Sequence, residues 1–132
     1  MNFNIHKLFA DSVILNSTKV AIIFNGKSMT YKELDERSNE FANFLLSKNY
    51  PNNSVIGISV KRSFDLIAGL IGILTAGHAY LPLDQEYPIE RLNYMLTHSK
   101  ACGLISDQEC ELSHNNDLKI ERDRIVSQGV NF

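Results

Sequence analysis

Four histidines, two cysteines, fifteen carboxylates and thirteen basic side chains are the residues here with chemical capacity. His6, His78, His98 and His114 share no ligand spacing, so no metal site is expected. Cys102 and Cys110 form neither a CxxC pair nor a disulfide framework and read as reduced thiols. Glu33 is a general base only on paper. It stands three residues after Thr30, the spacing of a capping box, in which the carboxylate serves a helix end. Asp84 ends an extended segment and reads as a loop residue. Tyr80 reads as a core or inter-helix aromatic rather than a stacking platform. Lys61-Arg62 reads as a solvated turn after a strand, with a protein contact as the alternative. A phosphate site needs several backbone N–H groups aimed at one point, hence clustered glycines. Gly57, Gly77 and Gly103 are isolated, and Gly69 and Gly72 lie within a helical run. The expectation is therefore no catalytic, no cofactor-binding and no metal-binding residue.

Composition narrows the class. Over 132 residues, 44% are hydrophobic and 21% charged, which describes a globular chain with a core. A net charge of −2 supplies no basic surface for nucleic acid or anionic lipid. The N-terminal residues lack a charged start followed by an apolar core, so no secretory signal is read and a cytoplasmic location is expected. The stretch from Leu66 to Leu83 carries no formal charge and approaches the ~18–20 residues of a membrane span. Gly77 and Pro82 divide it into a helix and a strand, which are better housed in an α/β core than in a membrane.

The elements that must position these residues follow in order. Ile5, Leu8, Phe9 and Val13 recur at helical spacing. Val20–Phe24 reads as a strand, Asn25-Gly26 as a tight turn, and Lys27–Met29 as the returning strand. Thr30 caps a helix that runs from Tyr31 to about Ser47, with Leu34, Phe41, Ala42 and Leu45 on its apolar face. Within it, Glu33 and Arg37 have the spacing of an ion pair. Val55–Val60 is apolar on both pleat directions, which implies cover on both faces. Ser63 caps the next helix, from Phe64 to Ala76. Gly69 and Gly72 inside it imply close approach to another backbone, and Gly77 suits the left-handed position past its end. A third helix starts at Tyr87-Pro88 with Ile89, Leu92, Met95 and Leu96 on one stripe, and Ala101–Ile105 is the next strand. Residues 106–132 show no convincing period and read as loop with a short strand or helix. Strand, helix, strand between Val55 and Leu83 is a parallel crossover unit.

The segment Leu74-Thr75-Ala76-Gly77-His78-Ala79-Tyr80-Leu81-Pro82-Leu83-Asp84 resembles the second signature of amino-acid adenylation domains of nonribosomal peptide synthetases, members of the adenylate-forming (AMP-dependent) synthetase-ligase family. Thr30-Tyr31-Lys32-Glu33-Leu34 resembles the first signature, and Tyr87 to Leu96 resembles the segment after the second. His98 stands where such domains commonly carry Asp, and Thr75 where they commonly carry Lys. The resemblance covers about residues 5–105 and implies an α/β fold: part of a three-layer N-terminal domain, with a parallel sheet flanked by helices plus a small β-hairpin. On this view residues 1–132 form an incomplete N-terminal portion that stops before the phosphate-loop motif, with 106–132 as a poorly defined tail.

The complete family domain uses ATP, magnesium and a phosphopantetheine carrier protein to activate an amino acid as aminoacyl-AMP and load it. The segment alone is expected to be non-catalytic and to need no cofactor. Its expected partners are the remainder of an adenylation domain or another synthetase module, with no nucleic acid and no membrane, and self-association through an exposed sheet edge is a further expectation. One chain of a split enzyme and a non-catalytic docking module are the alternatives.

Overall fold

A computed structural model describes residues 5–107, 117–121 and 124–128, with side chains described for residues 6–107. Helix α1 (Ile5–Asn16) leads into a hairpin of β1 (Val20–Phe24) and β2 (Lys27–Thr30). The long helix α2 (Tyr31–Ser47) follows, then β3 (Val55–Ser59), α3 (Phe64–Thr75), β4 (Ala79–Pro82), α4 (Ile89–His98) and β5 (Gly103–Ser106). Two further strands, β6 (Asp117–Glu121) and β7 (Arg124–Gln128), occupy the tail in which the sequence showed no period.

Local signals set most of the boundaries. Asn25 and Gly26 both have positive φ (52° and 75°), as a two-residue hairpin turn requires. Thr30 Oγ1 accepts from the Glu33 N–H at 3.1 Å, and Glu33 accepts from the Thr30 N–H at 2.9 Å, completing the capping box. Hydrogen bonding of the carboxylate by Thr30, first by its backbone N–H and then by its side chain, holds the Glu33 carboxyl below the ordinary glutamate range. Ser63 Oγ accepts from the Leu66 N–H at the start of α3. At the other end of α3, Gly77 takes φ of +86°. Its N–H reaches Leu74 O while the His78 N–H reaches Ile73 O, the paired bonds of a Schellman motif. Pro88 sits just outside α4 as its N-cap rather than within the first turn.

The main sheet has the order β4-β3-β5-β6-β7. The first four strands are parallel, and β7 returns antiparallel to β6. Ile56, Ile58 and Ile105 point into one core with Leu34, Phe41, Leu45 and Ile73 from α2 and α3. Leu104 and Leu83 point the other way, against Leu92 and Leu96 of α4. Gly57 faces this second core, where a Cβ would stand 2.8 Å from Leu96 Cδ2. Helices α2 and α3, the sheet, and α4 are thus three layers, and β3 is covered on both faces as its unbroken apolar run implied.

The α2–α3 contact is the tightest of these. A Cβ on Gly72 would lie 2.6 Å from Phe41 Cβ and 2.8 Å from Ser38 O. Above it, Arg37 Nε donates to Asp65 Oδ1 at 2.7 Å and Nη2 donates to Oδ2 at 3.2 Å, a two-point grip between the helices. Arg37 Nη1 also bonds Glu40 at 2.8 Å. The guanidinium thus engages Asp65 and Glu40, while the Glu33 that sequence spacing suggested is engaged in its cap with Thr30. Burial works to lower its pKa, but Asp65 and Glu40 outweigh that and raise it. One expectation about side chains is corrected: Tyr80 is 42% exposed, because β4 is the edge of the sheet.

Gly72→Ala should cost about 1–3 kcal/mol in urea melts, because a fixed backbone and a Cβ block the added methyl. Gly69→Ala should cost less, since its near neighbour is the Ile58 Cδ1 tip, which can rotate. An equal or smaller loss at Gly72 would contradict the close approach.

Candidate functional site

The chain runs from β3 to β4 on one side, then crosses to β5 on the other side of β3. Helix α3 packs on one face and α4 on the other. In parallel α/β sheets, ligands bind outside the carboxyl ends of the strands where the order reverses in this way. An open cleft of about 640 Å³ lies there, lined by Ile58, Val60, Lys61, Arg62, Leu66 and Pro82, together with Leu83, Asp84, Gln85, Glu86, Tyr87 and Met95.

Asp107, the residue after β5, organises one rim. Its Oδ2 accepts from the Lys61 N–H at 3.0 Å, and its Oδ1 accepts from Gln85 Nε2 at 2.7 Å. Gln85 Nε2 also donates to Ser59 O at 3.0 Å. One carboxylate thereby ties the end of β3, the end of β5 and the loop after β4. Asp84 shapes that loop from within: its Oδ1 accepts from the Glu86 N–H at 2.9 Å and its carbonyl from the Tyr87 N–H at 3.0 Å. The Arg91 guanidinium sits 4.2 Å from the Tyr87 ring centroid. The cleft carries charges of both signs, Lys61 and Arg62 against Asp84 and Glu86, over an apolar floor of Ile58 and Leu83. Such a site can seat a polar ligand against apolar side chains. Among the described residues its lining holds no glycine, and so no cradle of converging N–H groups.

The structure brings together Asp84, Lys61 and Arg62, which the sequence had treated as separate surface residues. It leaves Glu33 in its cap and Tyr80 on the sheet edge. His98 stacks on Tyr94 with ring centroids 5.3 Å apart. Cys102 is a half-buried free thiol, while Cys110 and His114 lie outside the described residues. Among the described residues no group of His, Cys, Asp and Glu is placed to hold a metal ion, and no helix is long and apolar enough to cross a membrane. The sequence reading missed Asp107 and Gln85; the only local hint was a carboxylate directly after a strand. It also missed His78, which is 6% exposed, lies edge-on to Tyr50 and finds no hydrogen-bond partner for Nδ1 among the described residues. Burial lowers its pKa from 6.5.

Three layers around a mainly parallel sheet, with a cleft at the strand carboxyl ends, define an α/β protein of the open-sheet class. The family described as AMP-binding enzyme matches residues 9–130, and the chain belongs to that family. Its similarities point to the adenylation domains of nonribosomal peptide synthetases. Gramicidin S synthase 2 of Brevibacillus brevis is 48% identical over 92 residues, 70% of this chain but 2% of the synthase. Zwittermicin A synthase ZmaJ of Bacillus cereus is 36% identical across 100% of this chain and 25% of its own length. The chain thus spans a quarter or less of these relatives. An artificially fused adenylation–PCP di-domain, NpsA-ThdA from Klebsiella oxytoca, superposes with a TM-score of 0.78 at 22% identity, covering 88% of this chain and 22% of that one, and shows the shared fold.

The buried His78 gives a pH prediction. Its folded pKa lies below the unfolded one, so the unfolded state takes the proton first and acid favours unfolding. Stability should hold above about pH 6.5 and fall as the pH drops below it. His78→Phe should flatten that fall in denaturant melts between about pH 7.5 and 5. Identical slopes for the two proteins would remove the buried-imidazole assignment.

Proposed function

We propose that these residues form the first crossover segment of an amino-acid adenylation domain. The complete domain activates an amino acid with ATP to aminoacyl-AMP and loads it onto a phosphopantetheine carrier. Within it, this segment supplies scaffold and one wall of the cleft, not the groups that carry the reaction. The observation behind the reading is the cleft at the carboxyl ends of β3 and β4. It sits where such folds bind ligands, yet Asp84 and Asp107 there are occupied with backbone and Gln85. Phosphoryl chemistry depends mostly on preorganised electrostatic stabilisation of developing charge. Its usual donors, a glycine-rich turn and a metal clamp, are not among the described residues that line this cleft. ATP, magnesium and the carrier protein are accordingly partners of the complete domain, and the remainder of that domain is the first partner of this segment.

Amino-acid-dependent exchange of pyrophosphate into ATP tests the reading. The chain alone should give no exchange above a control without protein, for any of the common amino acids. Exchange by the chain alone, retained through repurification, would overturn it. Exchange that appears only on adding a polypeptide with the rest of an adenylation domain would assign the chain to a split enzyme.

A further inference from the structure

The hairpin has a feature that the adenylation reading does not use. β1 pairs with β2 on one side only, and among the described residues its other edge makes no backbone hydrogen bond. Edge strands usually carry a charge, a proline or a cover that blocks further pairing. Val20-Ala21-Ile22-Ile23-Phe24 contains neither charge nor proline. The other edge strands described with their side chains do carry such guards: β2 begins with Lys27, and β4 ends in Pro82, which has no N–H to offer.

An irregularity in the β1–β2 register between Val20 and Ile22 sets the side-chain directions. It turns both Ala21 and Ile22 toward the core, where both pack. Val20 and Ile23 then both face outward, 50% and 73% exposed. Ile14 and Leu15, at the end of α1 just before β1, are 80% and 79% exposed. The last turn of helix α1 thus presents apolar side chains outward beside β1, although Lys7 and Asp11 keep the earlier part of its outer side polar.

We propose that the chain dimerises through β1, a second copy adding its own β1 antiparallel across a two-fold axis to make a four-stranded sheet. The occupant follows from the strand itself. A partner for this edge must be uncharged, apolar and matched in its alternation of faces. A second β1 meets all three conditions when the axis passes through Ile23. Ile23 then opposes Ile23 on the outer face, and Ile22 opposes Phe24 on the inner face. These are pairs between β-branched residues or between a β-branched and an aromatic residue, the kind that stabilise sheets. The contact is isologous and closes, so it stops at two copies.

Sedimentation equilibrium of the 132-residue chain tests this. The expected result is a monomer–dimer equilibrium. Ile23→Lys, at an exposed site that leaves folding intact by circular dichroism, should weaken the dimer at least about tenfold. Tyr80→Lys on β4 should leave it unchanged. In the unmodified chain, amide exchange along β1 should slow as concentration rises, a readout that needs no variant. A monomer at every concentration would overturn the proposal. So would a dimer indifferent to Ile23→Lys, a dimer broken by Tyr80→Lys, or β1 exchange independent of concentration.

Discussion

The structure depends on how closely α2 can lie against α3. Gly72 lets the backbone of α3 approach Ser38 and the Cβ of Phe41 at distances that no side chain would permit. That approach seats Phe41 and Ile73 in one fully buried cluster over Ile56, Ile58 and Ile105. Arg37 and Asp65 then fix the two helices in register from the rim of the same contact. Burying a guanidinium is unfavourable unless its donors are satisfied, and the two-point bond to Asp65 plus the bond to Glu40 meets that condition. The ion pair thus specifies helix orientation more than it adds stability.

With α3 held on one face, β3 must be followed on the other by α4, and the strand order reverses around β3. The cleft is a geometric result of that reversal. Asp107 and Gln85 keep its rim from fraying, because strand ends in a parallel sheet leave carbonyls and N–H groups that need partners. The two segments that resemble the family's signatures, from Thr30 to Leu34 and from Leu74 to Asp84, mostly cap, turn and pack in this structure.

Much of this was legible in the sequence where the cause was local. Asn25-Gly26, the Thr30–Glu33 box, the Ser63 cap and the turn at Gly77 each depend on about six neighbouring residues, and each is found where the pattern put it. Close approach at Gly72 was readable because glycine in a helix interior has a cost that asks for a reason. The site was less legible. Asp107 acts on Lys61 and Gln85, 46 and 22 residues away, and no spacing rule connects strand ends across a sheet. Tyr80 was misread as a core aromatic because an apolar run does not reveal whether its strand is central or at the edge. The tail was read as loop with a short strand or helix, and the paired strands β6 and β7 were not placed, because their hydrogen-bond partners, not their composition, define them.

Native-state hydrogen exchange of the whole chain tests most directly the claim that the α2–α3 contact organises the sheet. The slowest amides should be those of Phe41, Ile56, Ile58, Ile73 and Ile105, all exchanging with one common free energy of opening. In the dilute monomer the β1 hairpin should open more readily than they do. Exchange at Ile56 and Ile58 as fast as in β1, or uncoupled from exchange at Phe41 and Ile73, would show that the sheet does not rest on the paired helices.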